Sequence, residues 1–433
     1  MHPADTALID SARADDPVLD RLLKAASAHR IRAADLGLDR LERALARLGN
    51  PHLKLPPVLH VAGTNGKGST CAFLRAALEA AGARVHVFTS PHLVRVNERI
   101  RLAGQVVSDA DLAEALADVL RVNAGQPLSF FETITAAAFL LFAATPAEAV
   151  VLEVGLGGRL DATNVVPRPL VAGIAELAMD HVHILGPTIL HIAAEKAGIA
   201  KAGAPLVTQR YPPAVAARVA EVAALKGAHV LPRGEAWQAE ACAQGLVVRR
   251  LGAEPREVRL PPPRLPGAHQ ADNAALAVAM LLFQSAFDVR DTHFKQAMQW
   301  ASWPARLQRL VAGPLVERLP PGSALYVDGG HNPSAARAIA QFAVGLKPPV
   351  VFVVGMLRTK DHRAFVAALP AGCRRIGVPV PGHAGVDPGE LAPETAADVA
   401  SALSLVKEPA RVVVCGSLHL AGDVLRRNGP LPA

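Results

Sequence analysis

The chain is poor in cysteine. Cys71, Cys242, Cys373 and Cys415 are the only four in 433 residues, and no two are spaced C-x-x-C. That argues against a disulfide framework or a cysteine-built zinc site, and leaves four small apolar side chains suited to a reducing compartment. Aromatic residues make up only 4 % and no block of five or more basic residues occurs. Despite a net charge of +7, the stacking surfaces and basic stripes of a nucleic-acid binder are therefore lacking. A modest positive excess also suits small anionic substrates. The most apolar run, 136–144, stops at Pro146 and is too short to cross a bilayer. There is no 20–50-residue repeat and no low-complexity tract. The first residues are acidic and contain no apolar core of a signal peptide, so a soluble, cytoplasmic protein is expected.

What is present is an alternation of short apolar runs, glycine turns and helical spacings. Residues 58–62 read as a strand ending at Gly63, 69–81 as a helix ended by Gly82, 84–88 as a strand, and 149–154 as a buried strand interrupted only by Glu153. Such a pattern predicts a parallel sheet covered by helices on both faces. Residues 232–266 read as a small β insertion before a helix over 272–283. The periodicity breaks at Trp303-Pro304, and a second α/β series follows with strands at 324–327, 350–354, 375–380 and 411–415.

Residues 60–70 read H-V-A-G-T-N-G-K-G-S-T. A strand entering Gly63–Ser69 and a helix leaving it make a phosphate cradle: backbone amides point inward, the helix N-terminus adds partial positive charge, and Lys67 adds a full one. The usual spacing G-x-x-x-x-G-K-[ST] is not met, because Val61 and Gly68 stand where it has glycine and a hydroxyl. The hydroxyl that would reach magnesium must come from Ser69 or another loop. Ser90, in Thr89-Ser90-Pro91-His92 after the second strand, is one candidate. Glu153 is a charge that a buried strand tolerates only if paired or metal-bound. His181, in Asp180-His181-Val182-His183, would complete an oxygen-and-imidazole site for Mg²⁺ or Mn²⁺. Zinc is discounted for want of a nearby cysteine.

These segments, with L-E-V-G-L-G-G-R-L-D-A-T-N, M-D-H, E-K-A-G-I, D-G-G-H-N-P and V-C-G-S-L-H following in order, resemble the bacterial dihydrofolate synthase/folylpolyglutamate synthases, relatives of the Mur ligases. The resemblance covers nearly the whole chain. It implies an α/β fold: a Mur-ligase-like phosphate-loop ATPase domain over 1–302 and a smaller Rossmann-like domain over 303–433. It implies that Thr64, Asn65, Gly66, Lys67, Gly68 and Ser69 bind the triphosphate, that Asn273 lies by adenine, and that Arg306, Asp328 and His331 reach the nucleotide from the second domain. Ser90, Glu153 and His181 would hold magnesium. Lys196, which the residues alone read as an exposed helical lysine, would be carbamylated and support a second ion. Ala33, Ala34, Asp35 and Leu36, then Ser129, Phe130, Phe131 and Glu132, then Leu160, Asp161 and Ala162 would form the pterin site. Family members usually carry glycine at the position of Ala305 and alanine at that of Gly330.

The expected chemistry is acyl activation by ATP, with Lys67, Lys196, His181 and Arg306 as the catalytic set and ATP and two Mg²⁺ as cofactors. Dihydropteroate, reduced folates and L-glutamate are the expected substrates of a monomer with no nucleic-acid or membrane partner. Two rivals are a Mur-type ligase of cell-wall precursors and a phosphate-loop switch without ligase chemistry. Within the family, tail extension alone is the alternative to both activities.

Overall fold

The computed structural model describes residues 12, 14–29, 35–242 and 244–429. The chain falls into two compact units, Met1–Arg264 with Ala271–Ala301, and Leu265–Gln270 with Ser302–Ala433.

In the first unit, β1 (Val58–Ala62), β2 (Val85–Phe88), β3 (Ile100–Leu102), β4 (Gln105–Val106), β5 (Ala149–Glu153), β6 (Val171–Ile174), β7 (Pro205–Thr208) and β8 (His229–Pro232) form one sheet in the order β4-β3-β2-β5-β1-β6-β7-β8. β2, β5, β1, β6, β7 and β8 run parallel, while β3 and β4 close one edge antiparallel. All five residues of β1 are buried, as the near-continuous apolar run requires of a strand covered on both faces. Val58, Phe88, Val150 and Leu152 join one core with helices 17–26, 39–47, 109–123 and 130–144. Ala62, Ala172, Ile174 and Leu206 join another with helices 189–197 and 213–225.

The pairs Val61↔Glu153 and Ala62↔Ile174 bring the carboxyl ends of β1, β5 and β6 level. Because β1 lies between two strands that come later in the chain, the loops leaving these three ends open beside one another, the place where open α/β sheets bind ligands. β9 (Trp237–Cys242), β10 (Gly245–Arg250) and β11 (Arg256–Leu260) make the expected insertion, an antiparallel three-stranded sheet. Arg250 over Phe283 (5.1 Å) and Arg256 over Phe294 (5.8 Å) pin it to the helical part of the unit.

The second unit holds β12 (Gln308–Leu310), β13 (Ala324–Val327), β14 (Val350–Val354), β15 (Arg374–Gly377), β16 (Glu394–Thr395) and β17 (Arg411–Cys415), in the order β12-β13-β17-β14-β15-β16. Only β12 is antiparallel to its neighbour. Phe352, Val354 and Val413 pack with Ala336, Ile339 and Phe365 in its core. Among the described residues no helix is long and apolar enough to cross a membrane.

Candidate active site

The phosphate loop is tied to the loop after β6. The Thr64 amide donates to the Glu176 carbonyl (2.7 Å), and the Thr64 hydroxyl exchanges hydrogen bonds with the Ala178 backbone (3.0 and 3.1 Å). Asn65 donates to the Glu176 carboxylate at 3.1 Å. Gly66 caps the helix Lys67–Ala80 at φ +83°, and a Cβ there would lie 2.1 Å from Oδ1 of Asn273. Glycine is thus required twice, for the left-handed turn and for the approach of Asn273. Lys67 Nζ rests 3.4 Å from the Thr64 carbonyl. The hydroxyls of Ser69 and Thr70 are buried and, among the described residues, have no hydrogen-bond partner. Orphaned polar atoms at a helix N-terminus fit a phosphate and its cation.

Lys196 is where the structure departs most from what the residues alone suggest. It is not on the surface: it is 5 % exposed and donates to the Gly63 carbonyl at 2.9 Å. Burial, and then the neighbouring Lys67 charge, pull its pKa from 10.5 to about 7. The glycine loop after β5 holds its helix in place. Arg159 N–H donates to the Glu195 carbonyl (2.8 Å), and a Cβ on Gly158 would stand 2.7 Å from that same oxygen and 3.0 Å from Lys196 Cα.

Of the expected metal ligands, Glu153 ends β5 at 4 % exposure and its carboxylate accepts from the Ser90 amide at 3.1 Å. His181 has a left-handed backbone (φ +49°), stands beside Asp180 and His183, and its side chain is 39 % exposed. Among the described residues no three His, Cys, Asp or Glu side chains gather as a protein-only cage. The donor set of one buried carboxylate and nearby hydroxyls suits a hard cation that keeps water and phosphate oxygens in its shell.

The pterin set divides. Ala33 and Ala34 lie outside the described residues. Ser129 and Glu132 are the N-cap and third residue of the helix Phe130–Ala144, in a reciprocal capping box (3.1 and 2.7 Å). Phe130 is buried in the core beneath the Arg99 guanidinium (5.4 Å). Phe131 is half-buried, with its ring against Gly155 and tilted on Phe88. Arg40, which no sequence motif marks, joins the parts by donating to the Asp35 carbonyl (2.7 Å) and the Glu132 carboxylate (3.0 Å). Leu36 and Leu160 are partly buried, Ala162 fully. Asp161 is buried and accepts from the amides of Gly155 (3.0 Å) and Leu156 (2.9 Å).

Arg306, Asp328 and His331 belong to the second unit and cluster there. Asp328 accepts from the amides of Leu307 (2.8 Å) and Gly330 (2.7 Å), and Arg306 Nη1 donates to the Ala305 carbonyl (2.9 Å). His331 Nδ1 lies 3.0 Å from the Gly329 carbonyl. Ala305 adopts φ +54°, the region that glycine enters freely, which accounts physically for glycine as the usual residue there. At Gly330 a Cβ would press on Asp328 Oδ1 at 2.7 Å and on the Ala335 Cβ at 2.8 Å.

Residues 61–281 match the Mur ligase middle domain. The chain is 34 % identical over 413 residues to the dihydrofolate synthase/folylpolyglutamate synthase of Escherichia coli, covering 91 % of this chain and 93 % of that one. It is 33 % identical over 420 residues to a probable bifunctional folylpolyglutamate synthase/dihydropteroate synthase of Haloferax volcanii, of whose length it spans 48 %. Among solved structures, E. coli FolC in complex with DHPP and ADP superposes with a TM-score of 0.83 at 32 % identity, over 96 % of this chain and 98 % of that one. A bifunctional folylpolyglutamate synthase/dihydrofolate synthase with Mn, AMPPNP and L-glutamate bound superposes with a TM-score of 0.83 at 34 % identity, over 96 % and 99 %.

Proposed function

The chain belongs to the dihydrofolate synthase/folylpolyglutamate synthase family of Mur ligases, and from that premise we propose that it joins L-glutamate both to dihydropteroate and to the glutamate tail of reduced folates. It is an ATP-dependent ligase that uses a divalent cation. The observation that carries the assignment is the phosphate loop: a glycine-rich turn with two orphaned hydroxyls, Lys67 at its tip, and the buried Lys196 amine on the carbonyl of Gly63.

The substrate carboxylate attacks the γ-phosphorus of ATP, giving an acyl phosphate and ADP. The glutamate amine then attacks the acyl carbon and phosphate leaves. No protein nucleophile takes part, so this chain's contribution is placement and charge. Lys67 and the helix N-terminus hold the phosphates; Asn273, beside Gly66, marks the adenine side. Arg306, Asp328 and His331 are the residues the second unit would bring to the nucleotide. Ser90, Glu153, His181 and the Ser69 hydroxyl would hold the cation, which offsets phosphate charge when bound. Lys196 with its pKa near 7 is about half neutral at pH 7, and only the neutral amine adds CO₂; its carbamate would be the anion that supports a second cation. Phe131 offers a face to the pterin, with Asp161 and Glu132 at its polar edge. The enzyme acts as a cytoplasmic monomer on small molecules, without a nucleic-acid or membrane partner.

The test is ADP release by the purified protein with ATP, Mg²⁺ and glutamate, given dihydropteroate or tetrahydrofolate. Release with each, and only when glutamate is present, is expected. Release with one acceptor alone removes the bifunctional assignment, and release without glutamate removes ligation.

A further inference from the structure

His60 sits in the middle of β1, 1 % exposed, and no step above uses it. Its Nε2 lies 2.8 Å from the Thr163 hydroxyl, which in turn lies 2.5 Å from Oδ1 of Asp161. The directions follow from proton counting. A carboxylate only accepts, so Thr163 spends its single proton on Asp161, and His60 must be the Nε2–H tautomer donating to Thr163. Nδ1 is then an acceptor, and among the described residues it has no partner. Burial, then the charge of Lys201, lowers the His60 pKa to about 3, so the ring stays neutral. Asp161 Oδ1 also receives the Thr163 amide (3.0 Å), while Oδ2 receives those of Gly155 and Leu156.

We propose that His60 and Thr163 are positioning residues for Asp161: a one-way chain of hydrogen bonds from the sheet centre holds its carboxylate in one orientation at the edge of the pterin site. This rests on the assignment of Asp161 to that site. Burial raises the Asp161 pKa above the ordinary carboxylate value, and the Thr163 hydroxyl is the foremost of the groups that limit that rise. The same carboxylate ties Leu156 and Gly155, and Phe131 lies against Gly155, so its orientation and that wall are set together.

Steady-state kinetics of the full chain, with dihydropteroate and ATP varied in turn, test the chain of bonds. Thr163→Val keeps the shape and removes the hydroxyl; it should raise KM for dihydropteroate about tenfold, the value of one hydrogen bond to a charged group. KM for ATP should move less than twofold, and Thr163→Ser should restore dihydropteroate KM to within about threefold of the parent. His60→Leu should act in the same direction and His60→Gln, which keeps a donor, should recover most of the loss. Asp161→Asn separates the premises. If it leaves dihydropteroate KM unchanged, Asp161 is not in the pterin site. If it raises KM while Thr163→Val and His60→Leu do not, the site stands and the positioning chain is wrong. Equal increases in both KM values would show general damage to the fold and overturn the proposal as well.

Discussion

At the scale of single residues, the decisive group is Lys196. Its amine is held against the phosphate loop with a pKa near 7, so at pH 7 about half is neutral, against roughly one part in three thousand for an ordinary lysine. Carbamylation should therefore rise with pH through 7. Carbon-13 NMR with labelled bicarbonate should show a carbamate signal that grows from pH 6 to 8 and is absent in Lys196→Ala, which should also lose ligation by two orders of magnitude or more. A wild-type spectrum without that signal, or full activity of the variant, removes the carbamate from the mechanism. The linkage has a definite sign. The unfolded amine binds its proton up to 10.5 and the folded amine only to about 7, so for the unmodified amine stability rises with pH across that window. No sequence pattern announces this burial: Glu195-Lys196-Ala197 reads as any helix face, and only the resemblance marks the lysine. Arg40 and Glu176 were likewise hidden, because their partners come from distant loops. Ser129 and Glu132 carried an ambiguous signal. S-F-F-E is also the pattern of a capping box, and their backbone bonds are those of one.

At the scale of elements, the glycine loop 155–161 fixes the helix that carries Lys196. It packs so closely on the helix Ile189–Ala197 that Gly158 has no room for a methyl group. Gly158→Ala should cost about 1–3 kcal/mol, the usual penalty of overpacking, and calorimetry should show a lower Tm. Gly37→Ala, which faces open space, should change it little. Equal Tm values for both variants would mean that the loop is free to retreat. Strands were the most legible elements. Residues 58–62, 324–327, 350–354 and 411–415 are strands with the expected bounds, because apolar runs end there at Gly, Asp or Cys-Gly turns. The run over 375–380 starts one residue earlier and stops at Gly377, before Pro379. The helix expected over 272–283 begins at His269, since Gly267 rather than Asp272 turns the chain into it. The short edge strands β3 and β4 were not legible, being too brief to show a period.

At the scale of the whole molecule, each unit is an α/β sheet whose candidate site residues lie at or just after the carboxyl ends of its parallel strands. Gly63–Ser69, Ser90, Glu153 and Glu176 do so in the first, and Asp328–His331 in the second. A chain that works as proposed needs no nucleophile of its own, because its loops would hold phosphates and carboxylates while the substrates react with each other. The central claim is that the acceptor carboxylate itself takes the γ-phosphoryl group. Dihydropteroate labelled with oxygen-18 in its carboxylate tests it most directly, with the released phosphate analysed by mass spectrometry after turnover with ATP and glutamate. One labelled oxygen per phosphate formed is the expected result. Phosphate without label, alongside formation of dihydrofolate, would contradict the acyl phosphate and with it this account of the site.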